Sequence, residues 1–415
     1  MPFSHQVPSS NNLLDDLFVA VSATCVTGLS TVDTPNYWSP FGLFIIMVLI
    51  QIGGLGVMTL ATAIGASLLQ NLSLNTKLKT SAEVRGNGIF NIRAAVFGII
   101  KTSLLFELAG AIILTARFMI RYHYDPLRAL WHGVFHSVSS FNNAGFALYS
   151  DNLMGFHDDP FILIPLSLLT IIGGLGFPVL VQLRKYWRIP RRWSMGVKLV
   201  LVGTAVLLPL GTLAIAGMEW NNPHTLGAMD PATKILNSFA QSAATRTSGF
   251  NNIDMAHLHP ATLMIIDVLM YIGGGPAGTA GGIKITTFAV LFFIALTEIR
   301  GEGAVNVFGK RLDRGVHREA ITLVLLSVAL IFCSTFVLMV LTNFTTDQVI
   351  FEVVSAFATV GLSTGITAAL PEAAKIALII LMILGRVGPI TVAAALAHRR
   401  KPVLYELPKE RPIIG

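Results

Sequence analysis

Seven long stretches of the chain are almost uninterrupted in apolar residues, roughly 41–69, 94–119, 161–183, 197–218, 262–296, 319–342 and 373–397. A membrane-crossing helix needs about 20 predominantly apolar residues, so each stretch is expected to span a bilayer. Four shorter apolar segments lie between them, roughly 13–26, 129–141, 233–244 and 347–358. These are too short to cross, and each leads into a glycine flanked by small or hydroxyl residues. Non-helical backbone at membrane depth is tolerated only where it is buried in protein or lines a watery cavity. A short helix ending in a Gly-rich turn therefore predicts a re-entrant pore loop, although one such segment alone reads equally well as an interfacial helix.

Repetition separates these readings. With Gly28, Gly145, Gly249 and Gly361 as anchors, the residue ten places earlier is Phe18, Phe135, Phe239 or Phe351. Six places earlier stand Ser22, Ser139, Ala243 and Ser355, and one place later Leu29, Phe146, Phe250 and Leu362. A second glycine, Gly53, Gly173, Gly273 or Gly385, follows in the next long helix, 24 to 28 residues past the anchor. Signatures at both ends of a repeat of about 104 to 117 residues predict duplicated units round one axis. The expected fold is an all-α integral membrane protein of four pseudo-symmetric helix, pore loop, helix units. Their bounds are 1–80, 81–195, 196–300 and 301–415, and the first unit has its pore loop and second helix but no first helix. Truncation of the start is the favoured explanation of that gap.

Only 12% of residues are charged against 53% hydrophobic, and the mean hydropathy is +0.69. Soluble domains carry about 25% charge, so most of this surface faces something other than water. The net charge of +7 sits in short stretches between apolar runs, which excludes a basic nucleic-acid face. Basic clusters follow the first, third, fifth and seventh runs (Lys77 to Lys101, Arg184 to Lys198, Arg300 to Arg318 and Arg399 to Arg411), which places one side in the cytoplasm. The pore loops then enter from outside. Cys25 and Cys333 have no metal-ligand spacing and read as packing residues.

The loop ends are Val26-Thr27-Gly28, Asn143-Ala144-Gly145, Thr247-Ser248-Gly249 and Thr359-Val360-Gly361. Glycine can take backbone angles that turn its carbonyl to the axis without a Cβ clash. Rings of such carbonyls can replace the water shell of a potassium ion, so these twelve residues are the candidate filter. Short helices aimed at it with their C-terminal ends also favour a cation. Outer acids Asp33, Asp151, Asp158 and Asp159 either concentrate cations or serve as ordinary solvated loop residues.

The fifth run contains Gly273, Gly274, Gly275, Pro276, Ala277, Gly278, Thr279, Ala280, Gly281 and Gly282. Seven of these ten are Gly or Pro, so the helix must break there, and the break is the candidate gate. Pro276 should stiffen its first half. Arg386 lies deep in the last run, where the other units have Gly54, Gly174 and Gly274. An intramembrane arginine is costly and by default functional, and the expectation is contact with the carbonyls of the broken segment. Glu107 in the second run is a weaker candidate for a buried partner.

The motifs CVTGLSTVDT, QIGGLG, FNNAGF, ATRTSGF, GTAGGIK, SAFATVGLS and LGRVGP resemble those of the Trk/Ktr/HKT superfamily of potassium transporters, closest to the bacterial Ktr-type membrane subunit, and the resemblance covers essentially the whole chain. The resemblance implies four filter glycines at Gly28, Gly145, Gly249 and Gly361, an intramembrane loop at 273–282 and a gating arginine at Arg386. It implies potassium as the transported ion, sodium as an activator, a homodimer in the bacterial plasma (inner) membrane, and a cytoplasmic ring of RCK-type regulatory subunits that bind nucleotide. Gly28, where several sodium-permeable relatives have serine, favours potassium. The loop GGGPAG is poorer in serine than in many relatives. The main competing readings are a sodium-coupled alternating-access carrier, which usually places broken helices as an inverted pair, and a less selective cation channel. His257 and Asp267 invite an enzymatic reading, but no carboxylate pair, nucleophile with base, or zinc spacing lies within a span.

Overall fold

The computed structural model describes residues 4–6, 12–70 and 92–388. Lys77, Lys79, Arg85 and the segment that holds Arg399 to Arg411 fall outside them. Among the described residues the architecture is helical apart from one two-stranded hairpin, Asn306–Val307 with Lys310–Arg311. Four short helices match the four expected segments: α1 (Leu13–Cys25), α5 (Pro126–Phe141), α9 (Pro231–Ala244) and α13 (Thr346–Ala358). Their starts are set locally. Asn12, Asp125 and Asp230 accept backbone N–H groups of the first turn of α1, α5 and α9, and Gln348 caps back onto the Thr345 N–H before α13. At Asp230, outside the membrane, the Thr233 hydroxyl and the first-turn amides hold the carboxyl below its ordinary range.

Between them run α2 (Thr34–Tyr37), α3 (Pro40–Gln70), α4 (Ile92–Tyr122), α6 (Pro160–Leu175), α7 (Phe177–Tyr186), α8 (Met195–Glu219), α10 (Pro260–Tyr271), α11 (Ile285–Ile299), α12 (Arg314–Leu341) and α14 (Glu372–Val387). Three helical segments among the described residues are long and apolar enough to cross a membrane: Val96–Tyr122, Met195–Glu219 and Gly315–Leu341. The third apolar run, expected to be continuous, is not. It bends by 96° between α6 and α7 at Gly176, whose φ of +92° suits a residue without Cβ. The seventh run likewise leaves the helix at Gly388, φ +91°. Hydropathy alone does not register such breaks, because apolar composition continues across them.

The repeated residues find their purpose in packing. Phe18, Phe135 and Phe351 are fully buried, each in a cluster that includes the preceding unit: Phe18 with Val349 and Phe357, Phe135 with Val19, and Phe351 with Ile253 and Met255. Phe239 is only half-buried. A Cβ on Gly53, Gly173 or Gly385 would strike the carbonyl of Thr24, Phe141 or Phe357, in each case four residues before the repeated glycine Gly28, Gly145 or Gly361. The second glycine signature is therefore a close helix crossing. Gly273 departs: its close neighbour is the Gly281 carbonyl, since its helix has broken. The first and last units are joined by an ion pair between Asp15 and Lys375 at 2.8 Å, both largely buried.

Cys25 is buried in the core, but Cys333 is exposed on α12, so the packing role expected for it is not what the structure has. A thiol behaves as a small apolar group, so its exposure on an apolar helix costs little. Asp159 accepts two bonds from the Arg117 Nε, at 2.8 and 3.1 Å, and one from the Tyr122 hydroxyl at 3.1 Å, and it also caps α6. It is 1% exposed and so is a structural anchor, not a solvated attractor of cations.

Candidate functional site

Each short helix delivers its chain into a triplet with one backbone pattern. The first residue is left-handed although it is not glycine: Val26 (φ +56°), Asn143 (+61°), Thr247 (+70°) and Thr359 (+49°). The third is a glycine with φ between +69° and +96°, and the middle residue is not left-handed. Alternation of sign turns successive carbonyls to one side of the strand and the N–H groups to the other. The N–H groups return to the helix end: Thr27 N to Ser22 O (2.8 Å), Ala144 N to Ser139 O (2.7 Å), Ser248 N to Ala244 O (2.9 Å) and Val360 N to Ser355 O (2.9 Å). Non-glycine residues in this region cost about 1–3 kcal/mol each, and four at one register form a strained feature held by its surroundings.

The triplets close on one another. A Cβ on Gly28 would meet the Ala144 carbonyl, one on Gly145 the Ser248 carbonyl (2.7 Å), one on Gly249 the Val360 carbonyl and one on Gly361 the Thr27 carbonyl. The four loops thus form a closed ring in chain order, and each glycine is required by contact with its neighbour. Among the described residues, the twelve triplet carbonyls accept a single hydrogen bond, from Asn152 Nδ2 to Gly145 O at 3.4 Å. Buried backbone carbonyls are normally paired, so a set of unpaired ones is a site prepared for a positive partner.

The serines six places before the glycines, seen in the sequence only as a repeat, have a role here. Ser22 and Ser355 each accept the N–H of their glycine at 3.1 Å, and Ser139 donates to the Phe146 carbonyl at 2.8 Å. Glu107 also lies beside the ring. Its carboxylate accepts from Gln51 (3.0 and 3.1 Å), Ser103 (2.7 Å) and Asn142 (3.0 Å), which ties α3, α4 and the end of α5 together.

Residues 272–284 are non-helical and pack directly against this ring. Thr279 Oγ1 donates toward Phe141 O (3.3 Å) and Asn143 Oδ1 (3.2 Å), and a Cβ on Gly281 would strike Thr359 Oγ1. The segment docks into the break of the second unit: Gly275 N to Gly174 O (2.7 Å), Thr279 N to Gly173 O (3.2 Å) and Phe177 N to Ala277 O (3.1 Å). Arg386 donates to the Thr279 carbonyl and, at 3.2 Å, to Gly53 O. Two further cations, which the sequence reading did not single out, hold the same segment: Arg246 on Gly273 O (3.3 Å) and Lys284 on Ala280 O (2.6 Å). The sequence shows them only as a basic residue inside the third loop motif and another closing the Gly-rich stretch, with no pattern that names their acceptors.

His257 and Asp267 do not come together. His257 pairs with Asp254 at 2.7 Å on an exposed loop, Asp267 lies on α10, and no group of three metal-ligating side chains occurs among the described residues.

An all-helical protein whose buried helix ends converge on a ring of free carbonyls belongs to the class of membrane ion-transport proteins. Comparison narrows the class. Residues 3–401 match the TrkH family of cation transport proteins, and the chain belongs to that family. It is 37% identical over 408 residues to the Ktr system potassium uptake protein B of Vibrio alginolyticus, which covers 98% of this chain and 89% of that protein. It is 36% identical over 401 residues to the protein of the same description from Bacillus subtilis strain 168, covering 96% and 88%. The crystal structure of the potassium transporter TrkH from Vibrio parahaemolyticus shares the fold, with a TM-score of 0.75 over 93% of this chain and 79% of that one at 18% identity. The chain is accordingly a transport protein and not an enzyme, and a multi-pass protein of the bacterial plasma (inner) membrane.

Proposed function

We propose that the chain is the ion-conducting subunit of a potassium uptake system. The observation that carries this reading is the closed ring of triplet carbonyls with almost no hydrogen-bond partners. Potassium, the substrate, sheds its hydration shell against the carbonyls of Val26, Thr27 and Gly28, Asn143, Ala144 and Gly145, Thr247, Ser248 and Gly249, and Thr359, Val360 and Gly361. The names of the relatives, which are potassium uptake proteins, support that ion. The four units are 1–80, with pore loop and second helix only, and 81–195, 196–300 and 301–415, each helix, pore loop, helix, with the loops entering from outside.

The gate is the segment 273–282, seated against the ring and held by Arg386, whose positive charge lies beside the permeation path. Opening requires the segment to leave the break between Gly173 and Phe177. The relatives are described as one lettered component of a system, which supports a further component, a cytoplasmic ring of RCK-type subunits, serving a pair of these chains in the membrane. Nucleotide binds only on that ring, and sodium acts as an activator. The test is potassium and sodium flux into proteoliposomes made with the purified chain. Potassium flux well above sodium flux is expected, and equal permeability to both ions overturns the reading.

A further inference from the structure

Nine residues before the filter glycines, the short helices carry Val19, His136, Ala240 and Glu352, all buried. Two are apolar and two are polar, and the polar pair belongs to the second and fourth loops, which stand opposite each other in the ring. His136 Nε2 faces the backbone N–H of Leu148 at 3.2 Å, three residues past Gly145. A backbone N–H can only donate, so this nitrogen is an acceptor, and Nδ1 donates to the His132 carbonyl at 2.7 Å. The imidazole is fixed in one neutral tautomer. Glu352 Oε1 accepts from Ser363 Oγ at 3.0 Å and from Thr367 Oγ1. Ser363 lies two residues past Gly361, and its hydroxyl also accepts the Gly365 N–H at 2.9 Å. The second oxygen, Oε2, is buried and has no hydrogen-bond partner among the described residues.

Stability does not account for Glu352. A buried carboxylate with an unpaired oxygen is destabilising, and Val19 and Ala240 occupy the same register with no polar group at all. What the two side chains share is an attachment: each ties the outgoing limb of its loop to the helix that carries that loop. Loop three has a tie of another kind, from Asn252 Nδ2 to the carbonyl and Oδ1 of Asn237 at 3.0 and 2.6 Å. In loop one, Ser30 instead bonds to Val32 at 2.7 Å, and Asp33 reaches across to Ser150 of the second loop at 2.7 Å.

We propose that Glu352 and His136 are positioning residues for ion selection. They hold the Gly361 and Gly145 limbs at a fixed distance from the axis, so that a smaller ion cannot draw those carbonyls inward. The inference rests on the filter reading given above. The test measures the ratio of potassium to sodium flux in proteoliposomes for the unaltered chain and for Glu352→Ala, Glu352→Gln, Ser363→Ala and His136→Phe. Glu352→Ala, Ser363→Ala and His136→Phe should raise relative sodium flux about tenfold, the scale of one lost hydrogen bond. Glu352→Gln keeps the Oε1 acceptor and should retain the original ratio. An unchanged ratio in Glu352→Ala and Ser363→Ala overturns the proposal, as does a parallel loss of both fluxes, which marks a purely structural role. If Glu352→Ala does not fold, Ser363→Ala, which lacks only a hydroxyl, decides the matter. An unaltered chain that passes both ions equally overturns the filter reading instead.

Discussion

Replacing Arg386 with alanine removes two hydrogen bonds beside the carbonyl ring, one to Thr279 O and one to Gly53 O. Only the first bears on gating, because Gly53 belongs to α3 while Thr279 belongs to the segment that must move. A hydrogen bond from a charged donor contributes about 1.5–3 kcal/mol net. If that bond exists only in the closed arrangement, its loss shifts the closed-to-open equilibrium by about 10- to 150-fold. A population about 1% open would become about 10–60% open. The assay is basal potassium flux in proteoliposomes without any cytoplasmic partner, compared between the unaltered chain, Arg386→Ala and Arg386→Lys. Alanine should raise flux by at least about tenfold, with lysine intermediate, since an ammonium keeps the charge but not the planar fork. Size-exclusion profiles must show that all three are folded. Basal flux in Arg386→Ala equal to that of the unaltered chain would refute the assignment of Arg386 as a latch.

Gly361→Ala should abolish potassium selectivity, because the new Cβ meets the Thr27 carbonyl at φ +96°; competition of sodium for potassium flux reads this, and preserved discrimination would count against the ring as a filter. Deletion of Ala277 to Gly281 removes the contacts to Gly173 and Phe177 and should raise basal flux, which the same liposome assay follows. Asp159→Ala leaves the partly exposed Arg117 without its carboxylate and α6 without its cap, at a cost of about 1.5–3 kcal/mol. A lower melting temperature of the detergent-solubilised protein with an unchanged potassium-to-sodium ratio is the expected outcome.

Much of this molecule was legible in its sequence because the demands are local. A left-handed third residue in the triplet and a helix crossing against a carbonyl both require glycine, so Gly28, Gly145, Gly249 and Gly361, and then Gly53, Gly173 and Gly385, mark the repeat without any structure. The short helices fall within about three residues of the apolar segments that foretold them, since a capping residue precedes each. The bend at Gly176 was not legible: apolar residues continue through it, and hydropathy reports burial, not direction. Nor were the roles of Arg246 and Lys284, because a cation on a backbone carbonyl has no complementary side chain to betray it. Sequence by itself determined that four glycine-centred loops exist and that one helix must break. Arg386 on a carbonyl of the broken segment is also expected from the sequence, because a buried arginine needs an acceptor. Tertiary structure decided that the loops close in chain order, that the broken segment lodges at the bend between α6 and α7, and which further cations hold it. Those decisions rest on contacts between residues such as Phe177 and Ala277, 100 positions apart, and no local pattern encodes a partner at that distance.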